Sequence, residues 1–212
     1  MANLDQVAGV ILAGGLSRRM GGGDKGLLEL GGSTMLGHVV ERLRPQVSRL
    51  IINANGDPSR YAQFGLPVVA DTIGGFAGPL AGMLAGMRWA IAEMPDARAI
   101  ATVSCDTPFL PADLVSRLQS AAANRPGAIA LAQSQSGVHQ VVGLWPLSLM
   151  DELERQLRAG LRKVLQWTGQ HETIPVPFGP VDVAGRMIDP FFNANSLEDL
   201  ATARALLAGA AS

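Results

Sequence analysis

Apolar residues run unbroken from Val7 to Ala13, the pattern of a strand covered on both faces. Leu27 to Leu30 reads as a short extended piece ending at Gly31-Gly32. Leu36, Val39, Val40 and Leu43 then fall at i, i+3, i+4 and i+7, which predicts an amphipathic helix stopping before Pro45. Val47 to Ala54 reads as a second strand, closed by the turn cluster Asn55-Gly56-Asp57-Pro58. A short helix over Tyr61 to Phe64 and a third strand over Leu66 to Ala70 lead to Asp71. Pro79 suits the first position of a helix whose buried stripe is Leu80, Met83, Leu84, Met87 and Ile91. Ala99 to Ser104 predicts a fourth strand and Pro111 to Ala122 the next helix. Ala128 to Gln133 and Gln140 to Trp145 read as paired strands around a turn at Ser134 to Gly137. Helices over Leu147 to Leu157 and Leu161 to Trp167 follow, then short strands at Thr173 to Pro177 and Phe191 to Ala194. Ser196 to Ala208 is a final helix, with Ser196 and Asp199 at capping-box spacing.

Strands alternating with helices imply an α/β fold, a mostly parallel sheet with helices on both faces and an antiparallel hairpin at Gln133 to Gln140. The 212 residues contain no repeat, low-complexity linker or composition break, so residues 1–212 read as a single domain long enough for a full core. Eighteen acidic residues nearly cancel seventeen basic ones, and a net charge of −1 argues against nucleic acid or an anionic membrane as the main partner. The single cysteine, Cys105, excludes an internal disulfide and reads as a small buried residue. Met1 to Gln6 lacks a basic signal-peptide start, and no apolar run reaches the roughly 20 residues of a membrane helix. The expectation is a cytoplasmic protein.

Local clustering changes this neutral picture. After Leu12 come five glycines before Asp24, with Arg18, Arg19 and Lys25 among or after them. Glycine lets backbone amides approach an anion, and the basic side chains add charge-assisted hydrogen bonds, a composition suited to a polyphosphate. The segment is not a Walker A loop, because Lys25 stands between Asp24 and Gly26. Gly21, Gly23 and Gly26 match G-x-G-x-x-G, but begin eight residues past Ala13 rather than at the strand end.

Ala13-Gly14, Asn53, Asp71 and Asp106 lie at predicted strand ends, where open α/β sheets bind ligands. A carboxylate beside a triphosphate calls for a hard cation, and Mg²⁺ takes one or two carboxylates plus phosphate oxygens. Asp106 is the expected metal ligand; Asp71 either binds metal or positions ribose. Gly78 precedes a helix N-terminus, which attracts anions, and Gly82 permits close approach to a ligand or the sheet. Asn193 and Asn195 at i, i+2 would face one side of a strand and read a polar ligand; Asn195 or Ser196 could equally cap the last helix. Arg162 and Lys163 are a candidate second anion contact or simply solvated helix charge.

Leu12-Ala13-Gly14-Gly15, Arg18-Arg19-Met20-Gly21 and Asp24-Lys25-Gly26 together resemble the signature loop of molybdenum cofactor guanylyltransferases, within the nucleotidyltransferase superfamily. The resemblance continues through Asn53-Ala54-Asn55, Asp71, Gly78-Pro79-Leu80-Ala81-Gly82-Met83, Cys105-Asp106-Thr107-Pro108 and Asn193-Ala194-Asn195, with Ala194 where the family is expected to carry Val. It implies a Rossmann-like three-layer sandwich and transfer of GMP from GTP to the terminal phosphate of molybdopterin or molybdenum-molybdopterin, releasing pyrophosphate. By resemblance Leu12, Ala13, Gly14, Gly15, Asn53, Asp71, Gly78 and Gly82 bind the nucleotide. Lys25 and Arg19 act on its phosphates, with Lys25 also counted among the nucleotide-binding residues, and Asp106 binds both the nucleotide and Mg²⁺, for which Mn²⁺ can substitute. Arg162, Asn193 and Asn195 face the acceptor. Other cofactor-biosynthesis proteins and the recipient apo-enzymes are the further partners this implies. The alternative is a cytidylyltransferase for the same cofactor or for a sugar or polyol phosphate. With no G-x-S-x-G elbow and no histidine pair at triad or metal-ligand spacing, covalent catalysis has little support.

Overall fold

A computed structural model describes residues 6–14, 24–74, 78–194 and 196–208. The first strand, β1 (Val7–Leu12), is followed by the two-residue strands β2 (Glu29–Leu30) and β3 (Ser33–Thr34), then by helix α1 (Met35–Leu43). Thr34 caps α1 through its hydroxyl, which accepts from the Gly37 amide at 3.0 Å. Next come β4 (Arg49–Asn53), β5 (Val68–Val69), α2 (Pro79–Glu93), β6 (Ala99–Ser104), α3 (Leu114–Ala122), β7 (Ile129–Ser134) and β8 (Gly137–Pro146). The chain ends in α4 (Met150–Arg158), α5 (Val164–Thr168), β9 (Thr173–Pro177), β10 (Val181–Val183), β11 (Arg186–Ile188) and α6 (Leu197–Ala208).

Seven strands form one sheet in the order β5-β4-β1-β6-β8-β7-β9. The first four are mutually parallel, β8 runs antiparallel to both β6 and β7, and β9 is parallel to β7. From β1 the chain builds outward to β4 and β5, then returns to place β6 on the other flank of β1. That reversal makes the carboxyl ends of β1 and β6 a switch point, where a crevice opens. The sheet is covered on both faces. Val7 and Ile11 of β1 pack with Leu36, Leu43, Leu114 and Leu118 of α1 and α3. Ala8 and Val10, alternate residues of the same strand, pack with Leu80, Met83, Leu153 and Trp167 of α2, α4 and α5. The expected three-layer α/β sandwich is what forms.

Both sheet edges are guarded. At one, Pro67 precedes the two-residue β5. At the other, Phe178 donates inward to Gln133 at 2.7 Å, so the odd-numbered Pro175 and Pro177 sit where amides would face outward.

Several elements differ from the pattern-based expectation. Ile91 is 47% exposed, outside the buried face of α2. Four residues past Met87 is about 40° beyond one helical repeat, and it is Ala90 that meets the core. Phe191 to Ala194 is not a strand: the Phe191 amide donates to Asp189 Oδ1 and the Phe192 amide to the Asp189 carbonyl, folding the segment into a turn. The β10–β11 hairpin escaped prediction because its tight turn uses Ala184 and Gly185, both at positive φ, where Asn-Gly or Asp-Gly is the familiar signal. The Ser196–Asp199 capping box forms as expected, with reciprocal bonds of 2.8 and 3.1 Å.

Small residues let α2 lie close to the sheet. A Cβ at Gly86 would come within 2.6 Å of Val10 Cγ2, a stiff branched side chain. Gly86→Ala gains at most about 1 kcal/mol of helix propensity but overpacks this contact at a cost of about 1–3 kcal/mol. The net expectation is a destabilised protein, read as a lower midpoint in thermal or urea unfolding.

Candidate active site

The crevice is organised where β1 ends. The Leu12 carbonyl accepts from the Cys105 amide at 3.1 Å, and the Ala13 amide donates to the Asn53 carbonyl at 2.8 Å, so Leu12 to Gly14 emerge between the ends of β4 and β6. Just past β6, Asp106 is 8% exposed. Its Oδ1 accepts from the Ser104 hydroxyl at 2.5 Å and its Oδ2 from Lys25 Nζ at 2.6 Å. Lys25 also donates to Asn193 Oδ1 at 3.2 Å, and the Ala194 amide donates to the Asp106 carbonyl at 3.3 Å. Three distant chain segments thus converge on one ion pair.

Local packing explains how Lys25 arrives. It opens a 3-10 turn, Lys25–Leu27, in which Gly26 is buried. A Cβ on Gly26 would stand 3.2 and 3.3 Å from Cys105 Cβ and Sγ, so the missing side chain lets the turn rest on the residue next to Asp106. Cys105 is a packing surface there, and burial, with the nearby Asp106 charge, pushes its thiol up. On the other flank Asp24 accepts from the Tyr61 hydroxyl and lies 3.2 Å from Arg60 Nη1. Burial, reinforced by that bond, raises the Tyr61 phenol well above its ordinary value. Asp24 and Lys25 are therefore anchored in opposite directions.

A second polar group lies on the β4–β5 side. Asn53 Nδ2 donates to the Val69 carbonyl at 3.1 Å and to Asp71 Oδ1 at 3.0 Å. Asn55 exchanges two bonds with Asp71, side chain to Oδ2 at 2.8 Å and backbone amide of Asp71 to Asn55 Oδ1 at 2.9 Å. Gly82 abuts this group: its Cβ would fall 2.1 Å from Asn53 Oδ1 and 2.8 Å from Leu12 Cδ2. Gly78 holds φ 72° and ψ −166°, a conformation suited to glycine, and gives α2 no side-chain cap. The uncapped first turn of α2, with its partial positive charge, comes just before the Gly82–Asn53 contact.

Of the residues singled out from sequence, Lys25, Asp106 and Asn193 meet directly, and Gly14, Asn53, Asp71 and Gly82 form the second group. Arg162 is placed elsewhere. Its carbonyl oxygen stands 3.6 Å from a Cβ at Gly78, while Nη1 donates to the Leu157 and Leu161 carbonyls at 2.7 Å each, closing the end of α4. Gly15, Arg19 and Asn195 lie outside the described residues. Ser104 and Asn55 were not given roles, although one stands two residues before Asp106 and the other two residues after Asn53; Tyr61 has no sequence signal at all.

On the far side of Asp106 is a cavity of about 520 Å³ whose walls include Ser104, Thr107, His139, Gln140, Phe191 and Asn193. Through Ser104 and Asn193 it borders the Lys25–Asp106 pair.

A doubly flanked sheet with a carboxylate and a lysine paired at its switch point fits a nucleotidyltransferase. Residues 9–174 match the MobA-like NTP transferase domain. Over 202 residues the chain is 50% identical to the molybdenum cofactor guanylyltransferase of Mesorhizobium japonicum, covering 95% of this chain and 96% of that one. The chain belongs to the molybdenum cofactor guanylyltransferase family. Its fold is similar to that of molybdopterin-guanine dinucleotide biosynthesis protein A from Archaeoglobus fulgidus (TM-score 0.72, 19% identity, 95% and 98% of the two chains). A Mycobacterium tuberculosis protein solved as a manganese complex is also similar (TM-score 0.65, 21% identity, 94% and 98%).

Because Gly82 abuts Asn53, Gly82→Ala must push the carboxamide away from Asp71. On the resemblance-based expectation that Asn53 and Asp71 bind the nucleotide, GTP binding should weaken by about tenfold, one lost polar contact's worth, in calorimetric titration, with secondary structure retained by circular dichroism.

Proposed function

We propose that residues 1–212 act as one nucleotidyltransferase unit that moves GMP from GTP to the terminal phosphate of molybdopterin, with or without bound molybdenum. The carrying observation is the position of Lys25 and Asp106 between two differently furnished halves of the crevice. Toward β4 and β5, Leu12 to Gly14, the Asn53–Asp71 group and the open end of α2 suit a nucleotide and its phosphates. Toward β8, the cavity bordered by Asn193 suits the acceptor. Gly15 and Arg19 join the nucleotide side in this reading, and Asn195 the acceptor side. Arg162 is assigned to the acceptor side with Asn195, its Nη1 in this structure donating to the Leu157 and Leu161 carbonyls.

The donor set at Asp106 fits a hard divalent cation. A single buried carboxylate braced by a serine hydroxyl leaves the remaining positions to phosphate and water, the coordination magnesium prefers. Among the described residues no group of three His, Cys, Asp or Glu side chains forms a cage of the transition-metal kind. Asp106 would hold Mg²⁺, with Mn²⁺ as a substitute. When bound, the ion would neutralise charge on the reacting phosphates.

The residues supply binding and charge rather than proton transfer. A phosphate monoester has its second pKa near about 6, so the acceptor is already largely ionised at neutral pH and requires no general base. The barrier is the approach of an anionic nucleophile to an anionic α-phosphate. Lys25, held at the boundary of the two halves, offsets that repulsion and the charge of the departing pyrophosphate. Asn193 fixes the lysine from the acceptor side. A cytoplasmic location is part of this proposal; among the described residues no helix is long and apolar enough to cross a membrane. Other cofactor-biosynthesis proteins and recipient apo-enzymes are the partners that would supply the acceptor and take the product.

Pyrophosphate release with molybdopterin and GTP, CTP or ATP tests this reading directly. GTP should be favoured over CTP by about 10²-fold or more in kcat/KM, since a purine-reading pocket leaves its polar groups unpaired with the smaller base. Preference for CTP would make the protein a cytidylyltransferase instead.

Lys25→Ala and Asp106→Asn should each lower kcat by roughly 10²–10³, the cost of a single electrostatic group. Near-wild-type turnover by either purified, folded variant would remove that residue from the mechanism.

A further inference from the structure

One wall of the acceptor-side cavity carries a polar cluster that the transfer reaction leaves unused. Asp189 Oδ2 receives the hydroxyls of Ser134 at 2.6 Å and Ser136 at 2.8 Å, while Oδ1 receives the Phe191 amide at 2.9 Å. Burial works to raise the Asp189 carboxyl, but these bonds and the nearness of His139 hold it below its ordinary value, so it is a carboxylate. A carboxylate can only accept, so where both serines point at Asp189 each gives it its one hydroxyl proton, and their 2.9 Å Oγ–Oγ contact carries none.

That arrangement sets the tautomer of His139. Its Nε2 lies 2.8 Å from Ser134 Oγ and 3.4 Å from Ser136 Oγ. With both hydroxyls directed to Asp189, Ser134 Oγ is left as an acceptor and Nε2 carries the hydrogen; the arrangement in which Ser134 turns its proton to Nε2 is the alternative that the spectra below distinguish. Burial holds the imidazole below its usual pKa against the pull of Asp189, the charged group facing it, which keeps the ring neutral near pH 7. Nδ1 is then an unprotonated acceptor on a ring that lines the cavity and packs on Phe191, with centroids 4.6 Å apart.

Resting on the acceptor assignment above, we propose that His139 is a specificity-determining residue: through Nδ1 it accepts a hydrogen bond from an N–H or amino edge of the acceptor's flat heterocycle. Asp189, acting through Ser134 and Ser136, is the positioning residue that holds it in this tautomer. The same carboxylate fixes the turn leading to Asn193, so one side chain sets both the reading group and the lysine's partner. The cavity is thereby furnished for a ligand with a donating edge.

Two measurements separate this inference from the assignment it rests on. Long-range nitrogen–proton spectra of the wild-type protein with labelled histidine need no acceptor. Three histidines give three patterns, and His139→Phe identifies the one of interest. The expected signature is a protonated Nε2 and an unprotonated Nδ1; a protonated Nδ1 overturns the inference. The second is steady-state transfer to molybdopterin. His139→Phe keeps the ring contact and loses the acceptor atom. Its KM for molybdopterin should rise roughly tenfold, one hydrogen bond's worth, with kcat and the KM for GTP within about threefold. An unchanged molybdopterin KM in a variant that melts like wild type overturns the inference alone. Failure of the wild-type protein to transfer to molybdopterin, with the tautomer as expected, overturns the acceptor assignment and the role of His139 with it.

Discussion

The contact between Lys25 and Asp106 is the constraint around which the crevice is arranged. Both side chains are largely withdrawn from water, 14% and 11% exposed. A buried carboxylate or ammonium is costly unless paired and further hydrogen-bonded. Each partner accordingly has a second tie: Ser104 on the carboxylate, Asn193 on the ammonium. The residues are 81 positions apart, and Asn193 comes from farther still, so the charge pair closes the chain on itself from three directions. Neighbouring features serve that closure. Gly26 gives up its side chain so that the turn can rest on Cys105, and Asp24 is pulled the other way by Tyr61 and Arg60.

The sheet topology makes this a boundary between two different environments. Strands β1, β4 and β5 are parallel and bring Asn53 and Asp71 to the same end as Asp106. Helix α2 crosses them on small residues, and the contact of Gly82 with Asn53 brings its uncapped start to that end. Beyond β6 the sheet changes direction. Antiparallel β8 contributes its beginning rather than its carboxyl end, so His139 and Gln140 form a side wall. One half therefore offers amides and a carboxylate–carboxamide group, the other offers hydroxyls, an imidazole and aromatic rings.

Most of the architecture was legible because its signals are local. The unbroken apolar run of β1, the 3.6-residue spacing of α1, Pro79 at the start of α2 and the capping box of α6 each act within a few residues. The nucleotide-side candidates were legible for a related reason: in a parallel sheet, a polar residue just after an apolar run is at a strand end, and strand ends converge. What escaped depends on contacts between distant segments. Nothing near Tyr61 marks it as the partner of Asp24, and nothing near Ser134 marks a bond to a carboxylate 55 residues away. The same blindness made Asn193 look like a strand residue. Its position is set by Asp189 folding the backbone through Pro190, which has no amide to give to a ladder. Gly26, counted among the phosphate-loop glycines, has a packing role visible only once Cys105 is placed beside it.

The pair also bears on how the proposed ligands would bind. Asp106 is the anion that keeps Lys25 at the boundary, and Lys25 is the cation that makes a buried Asp106 tolerable. In the proposed reaction, a triphosphate bound with a divalent cation would supply both charges at once: negative oxygens for the lysine and positive charge for the carboxylate. Either alone would leave one buried charge worse off, since a phosphate beside an unneutralised Asp106 repels it and a cation beside Lys25 does the same. Cation and nucleotide should therefore favour each other's binding, because each removes the penalty the other creates. The coupling needs no large movement of the sheet, only an exchange of partners among groups already held within hydrogen-bonding reach by Ser104 and Asn193.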